Sequence, residues 1–182
     1  SVVDGVTGLE VGDNKVSEAR PRKRNRLTLY WQNKVHVDTG VVDVALRRYR
    51  DSWGIRSTTL DARYRHELGN GWFAGRQWRG YRQSAADFYR PYLVEGSDYL
   101  SDVHAPTLAH ASADPRLAGF KATTLGLKVG LELARGRELG LRLASYNQKV
   151  APVQGAPGYL ATVPLVDNLK ATIVMLGYSH LF

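Results

Sequence analysis

Apolar and polar residues alternate with a period of two through seven long stretches of this chain, and helical spacing is scarce. In 26–37, Leu27, Leu29, Trp31, Val35 and Val37 share one side, with Asn33 the exception; Arg26, Thr28, Tyr30, Gln32, Lys34 and His36 share the other. Stretch 40–50 sets Val42, Val44 and Leu46 against Asp43, Ala45, Arg47 and Tyr49, and 55–68 sets Leu60, Ala62 and Tyr64 against Asp61, Arg63, Arg65 and Glu67. In 117–134, Leu125, Leu127, Val129, Leu131 and Leu133 oppose Thr124, Gly126, Lys128, Gly130 and Glu132; in 138–149, Leu139, Leu141 and Leu143 oppose Arg142, Tyr146 and Gln148. The last stretch, 169–182, places Val174, Leu176, Tyr178, His180 and Phe182 on one side. Stretch 71–84 is strand-like with an ambiguous register, because Trp72, Ala74 and Trp78 share a side with Arg76 and Arg82. Successive side chains of a strand point to opposite faces, so each stretch predicts a two-faced strand.

The connections alternate in length. Val37-Asp38-Thr39-Gly40, Leu68-Gly69-Asn70-Gly71 and Ala134-Arg135-Gly136-Arg137 are tight, Gly-bearing turns. The other side has the short Asp51-Ser52-Trp53-Gly54 and long segments near 85–116 and 150–168. Short turns at one end and long loops at the other are the pattern of a transmembrane β-barrel. A soluble sandwich also alternates, but its strands are commonly about 5–6 residues, and these are twice that. The expected fold is therefore all-β: an antiparallel up-and-down transmembrane β-barrel. Residues 1–21 are expected as an external loop and 22–182 as the C-terminal part of one barrel. Seven is odd and bacterial single-chain barrels use even counts, so further strands are expected, either in a part of the chain before Ser1 or in a second chain. The rival is that 2–9 is an eighth strand closing a small barrel, against which its two glycines and poor alternation count.

Composition excludes several classes. With no Cys there is no disulfide scaffold, thiolate zinc site or thiol nucleophile. The longest uncharged run, 150–166, contains Pro152, Pro157 and Pro164 and cannot be a membrane-spanning helix. The formal charge of +8 is uneven: residues 22–90 hold fifteen bases and six acids, while 1–21 hold two bases and four acids. A basic segment usually suggests a polyanion, yet nucleic acid would not explain lipid-ready strands or a terminal Phe. No serine elbow, HExxH or P-loop is present, and five scattered His define no constellation, so no enzyme is expected.

Several segments resemble an uncharacterised family of proteobacterial outer-membrane β-barrels, a domain of unknown function. They are Arg48-Tyr49-Arg50-Asp51-Ser52-Trp53-Gly54-Ile55-Arg56-Ser57, Gln83-Ser84-Ala85-Ala86-Asp87-Phe88-Tyr89-Arg90-Pro91, Ala113-Asp114-Pro115-Arg116-Leu117 and Thr124-Leu125-Gly126-Leu127-Lys128. The resemblance covers residues 22–149. It implies an outer-membrane location in a Gram-negative bacterium and a barrel of which this is the C-terminal half; it brings no agreed substrate.

If the apolar faces meet lipid, basic residues line the interior. The candidates are Arg24, Arg26, Lys34, Arg47, Arg63, Arg65, Arg79, Lys128 and Arg142, partly compensated by Asp43, Asp61, Glu67, Glu132 and Glu138. Such a lining serves either as an ion-pair network filling a narrow barrel or as a pore favouring anions, which rings of Arg and Lys select. Asp87, Phe88, Tyr89, Arg90 and Tyr92 make the 85–116 loop too aromatic to be idle; it is read as a plug or a partner contact. Val174, Leu176, Tyr178, His180 and Phe182 resemble the C-terminal signal read by barrel-assembly machinery. Arg56 and Arg82 are expected at the outer rim, on lipopolysaccharide phosphates; Arg76 has no account beyond a bulge or a covering partner. Trp31, Trp53, Trp72, Trp78, Tyr64, Tyr81 and Tyr178 are candidates for interface girdles. Asp98, Asp102, His104, His110 and Asp114 are spaced irregularly, so neither metal nor cofactor is assigned. The expected function is a pore or conduit for an anionic or polar solute. The alternative is a non-conducting scaffold that anchors a periplasmic or surface partner among other subunits.

Overall fold

The computed structural model describes residues 1–12, 16–134, 136–153 and 155–180. Seven long strands follow the seven alternating stretches closely: β1 (Arg26–Val37), β2 (Gly40–Asp51), β3 (Arg56–Gly69), β4 (Trp72–Gln83), β5 (Phe120–Ala134), β6 (Arg137–Val150) and β7 (Leu169–His180). They form one antiparallel sheet in which neighbours in sequence are neighbours in space. The tight turns have the backbone chemistry their residues allow. Between β3 and β4, Gly69, Asn70 and Gly71 take φ of 89°, 52° and 78°, a left-handed run that glycine and asparagine tolerate and branched residues do not.

The sheet is open. β1 and β7 are its edges and, among the described residues, each pairs on one side only. Both run from the long-loop end to the tight-turn end, as the Val37↔Gly40 and Arg137↔His180 pairs show. The proposed eighth strand does not close the sheet: Val2–Val3 pairs in parallel with Leu93–Val94, at the long-loop end. A second short ladder joins Tyr99–Leu100 to Ala105–Pro106, and Ala19 bridges Ala111. The described residues of 1–20 and the β4–β5 connection thus build one cap, where the alternation predicts only loops.

The register sorts the side chains cleanly. One face carries Leu29, Trp31, Val35, Leu46, Leu60, Leu125, Leu127, Val129, Leu141, Leu143, Val174 and Leu176, all exposed. The apolar core lies in the cap instead. Ile55, Ala86, Phe88, Tyr89, Leu117 and Ala118 form one buried cluster with Tyr49, Trp53 and Val150 against it; Val2, Leu93 and Tyr99 form another. Each large apolar side chain so removed from water contributes roughly 1.5–3 kcal/mol.

Candidate functional site

The polar face is concave. Lys34 of β1 and Met175, Gly177 and Ser179 of β7 line one cavity of about 600 Å³, although five strands separate those edges. All six strand carboxylates, Asp43, Asp51, Asp61, Glu67, Glu132 and Glu138, fall on this face. Asp61, nearly buried, accepts hydrogen bonds from Arg63 Nε at 2.8 Å, Arg79 Nε at 2.6 Å and Gln77 Nε2 at 2.9 Å. Gln77 also accepts from Arg142 on β6. Arg65 reaches three carboxylates: Glu67 at 2.6 Å, Glu132 at 2.6 Å and Glu138 at 3.2 Å. Glu138 also pairs with Lys128. Arg65 and Glu138 lie three strands apart, roughly 14 Å in a flat sheet at about 4.8 Å per strand, so their contact records the curvature.

Glycines make room for these long arms. A Cβ at Gly130 would lie 2.1 Å from Phe73 Cζ, and one at Gly140 would meet Lys128 Cε at 2.8 Å. Phe73 is 1% exposed on the polar face, with the Arg65 guanidinium 3.6 Å and the Lys128 ammonium 5.0 Å from its ring centroid. A cation over an aromatic face is attracted by the ring quadrupole. Phe73 was not among the expected site residues, because it breaks the alternation of β4. What explains it is its register opposite Gly130, which only the structure gives.

At the long-loop end the cap meets this face. The Asp51 side chain is fully buried and accepts hydrogen bonds from Arg24 Nη2 (2.6 Å) and Nε (2.8 Å) and the Tyr49 hydroxyl (2.8 Å), as well as the backbone N–H groups of Trp53 and Ile55. Arg24 also lies 4.3 Å over the Trp53 ring, and Trp53 meets Phe88 edge to face at 5.2 Å. Gly54 takes φ of 83°, and the Asp87 carboxylate occupies the space of a missing Cβ. The Asp87 backbone N–H donates to the Trp53 carbonyl at 2.9 Å, and the Ala86 N–H to the Leu117 carbonyl. Three of the quoted segments, around 51–55, 85–89 and 113–117, therefore converge in one cluster.

Asp114 caps the 3₁₀ turn Pro115–Leu117 and pairs with Arg116 (2.6 Å) and Arg20 (3.1 Å). The hydrogen bonds from Arg116 hold its carboxyl down at about 2. Burial pushes the Tyr89 phenol up. Arg20, Arg24, Arg47, Tyr81, Asp114 and Arg116 border a mouth of about 480 Å³ between cap and sheet.

The expected lining residues separate into groups. Lys34, which lies 3.7 Å from Asp43, and Arg63, Arg65, Arg79, Lys128 and Arg142 join the network. Arg26 and Arg47 are on the same face and make no ion pair among the described residues. Arg24 precedes β1 and belongs to the cap. Of the loop residues, Phe88 and Tyr89 are buried, Tyr92 is half-buried, and Arg90 is exposed with Nη1 donating to its neighbour's carbonyl at 2.9 Å. Trp31, Trp72 and Tyr178 stand exposed on the apolar face, whereas Tyr81 turns to the polar face and Trp53 into the cap. Val174, Leu176 and Tyr178 lie on the apolar face of β7, with His180 ending the strand; Phe182 lies outside the described residues. Arg76 points to the apolar side between Tyr64 and Leu127, with no register shift to turn it inward.

Comparison with curated proteins and with solved structures finds no match. A family model, described as "Protein of unknown function (DUF3570)", matches residues 1–180, a longer span than the 22–149 that carry the resemblance. The chain belongs to this uncharacterised family.

Proposed function

We propose that the sheet is wall of an outer-membrane β-barrel with a basic lumen, a conduit for an anionic or polar solute whose outer mouth the cap covers. One observation carries this reading: an uncovered apolar face runs across seven adjacent strands, while both buried apolar clusters lie at the cap. Soluble monomers rarely expose contiguous apolar patches beyond a few hundred Å². Hydrocarbon is the medium in which such a face is stable. Strands of twelve residues, at about 3.3 Å each and tilted by about 40°, span roughly 30 Å, the thickness of a bilayer core.

The edges fit the same reading. Unpaired strand groups in lipid cost several kcal/mol each, and β1 and β7 run the same way, so they cannot close on each other in antiparallel fashion. In the barrel as proposed, strands outside these 182 residues complete the wall. The lumen would favour anions because Arg26 and Arg47 make no ion pair among the described residues and Asp61 is shared by two arginines.

The test is conductance of the full-length protein in planar bilayers under a salt gradient. The expected result is a reversal potential on the anion side, moved toward zero by Arg47→Glu. A silent bilayer would favour the second reading, a non-conducting scaffold, for which the locking of Arg65 to three carboxylates speaks.

A further inference from the structure

The apolar face ends in a basic groove. Register places Arg48 beside Thr58, Thr58 beside Arg82, Arg82 beside Lys121 and Lys121 beside Lys149, so one row crosses five strands; Arg50 and Arg56 pair directly one step nearer the loops. All six bases are exposed and line one groove of about 1400 Å³, bounded by Leu27 and Leu29 at the β1 edge and by Ala151, Pro152 and Val153. Among the described residues none of the six makes an ion pair, and no carboxylate stands on this face of any of the seven strands. The polar face, by contrast, holds all six strand carboxylates.

Like charges directly opposite on neighbouring strands destabilise a sheet. Three such pairs occur here, Arg50–Arg56, Arg82–Lys121 and Lys121–Lys149, with no internal counter-charge. The next row toward the tight turns reads Trp31, Leu46, Leu60, Gly80, Thr123 and Asn147, apolar on β1–β3 and small or polar beyond. A ligand suited to both rows is amphipathic, with several anionic oxygens above and hydrocarbon below. Guanidinium forks suit phosphate through bidentate bonding, and ammonium groups add point charge.

We infer that this groove holds the phosphate groups of an outer-leaflet glycolipid, lipopolysaccharide, whose acyl chains lie along the apolar face beneath it. The inference deepens the membrane reading and rests on it. It differs from the lumen proposal in using the opposite face of the sheet.

The test uses the full-length protein in uncharged detergent, titrated with diphosphoryl lipid A, with its dephosphorylated form and with inorganic phosphate, while native mass spectrometry reads retention. The expected result is retention of diphosphoryl lipid A alone, since phosphate lacks the chains and the dephosphorylated form lacks the charge. Each basic side chain near an anionic surface is worth about fivefold, so Arg82→Gln/Lys121→Gln/Lys149→Gln should weaken retention on the order of 100-fold. Heat-modifiable migration in gels checks that the variant is folded. Equal retention of the dephosphorylated form, or an unchanged triple variant, overturns the groove. Carbonate-resistant insertion into vesicles is measured in parallel: insertion without phosphate dependence overturns the groove alone, and failure to insert overturns the membrane reading and the groove with it.

Discussion

The cap and the sheet treat the same kinds of residue in opposite ways. In the cap, Phe88, Leu93 and Leu117 are buried under backbone hydrogen bonds, and Val2 and Val3 are almost inaccessible. In the sheet, Leu29 is 65% exposed, Leu127 61% and Leu176 77%. Charge is divided as sharply, with acids confined to the concave face. The cap is built as a protein in water is built, with its apolar groups turned inward. The sheet is built in reverse: its polar groups face one another and its apolar groups face out. On the membrane reading proposed above, what distinguishes the two regions is the medium each is folded against, not the hydrophobicity of its residues.

The largest effect that should separate them is a cavity in the cap. Truncating a buried aromatic costs about 3–5 kcal/mol, so Phe88→Ala should open residues 84–119 to protease while the sheet keeps its heat-modifiable migration. Simultaneous loss of both would mean that the two regions fold as one unit. The next test exchanges charge within a single row of the apolar face, where Arg76 and Leu127 are direct neighbours. A lipid-facing arginine costs about 2–4 kcal/mol at the bilayer midplane, whereas an exposed position in water tolerates it within about 0.5 kcal/mol. Leu127→Arg should therefore lower the unfolding free energy in vesicles by that larger amount, and Arg76→Leu should raise it by somewhat less. Neutral results for both, measured by urea titration of the vesicle-inserted protein, would show that water wets this face.

The two regions also differed in how far they could be read in advance. The strands were legible because alternation is local: Leu27 to Val37 and Leu125 to Leu133 declare their faces without reference to anything distant. The sides of the sheet followed from loop lengths. The cap was not legible. Its ladders are two residues long, and Val2 pairs with Leu93 across most of the chain, a separation that no periodicity reports. The quoted segments marked Asp51, Trp53, Gly54, Asp87 and Phe88 individually, but nothing local said that they touch. Phe73 escaped because it is apolar at a polar position, and only its register against Gly130 explains it. Loop lengths place Arg56 and Arg82 at the long-loop end, whereas their alignment with Lys121 and Lys149 depends on register across four strands.

The smallest expected effect is confined to the cap and depends on pH. Asp114 has a folded-state pKa of about 2, below the ordinary carboxylate value of 3.8, because Arg116 and Arg20 bond its charged form. A depressed carboxyl contributes stability that is fully present above the unfolded value and is lost as pH falls through the folded one. The cap should therefore be at full strength above about pH 4 and weaken toward pH 2. Arg116 is 84% exposed, and solvent screens such a pair, so the loss is about 1 kcal/mol rather than the full linkage value. The measurement is pepsin cleavage within 84–119 at pH 4.5 and at pH 2, with Asp114→Asn as reference so that the protease's own pH dependence cancels. The native protein should be cleaved several-fold more slowly than the variant at pH 4.5 and at a similar rate at pH 2. A constant ratio would mean that Asp114 adds nothing to the cap, leaving its stability to the apolar cluster of Ile55, Phe88 and Leu117 and to the buried Asp51–Arg24 pair.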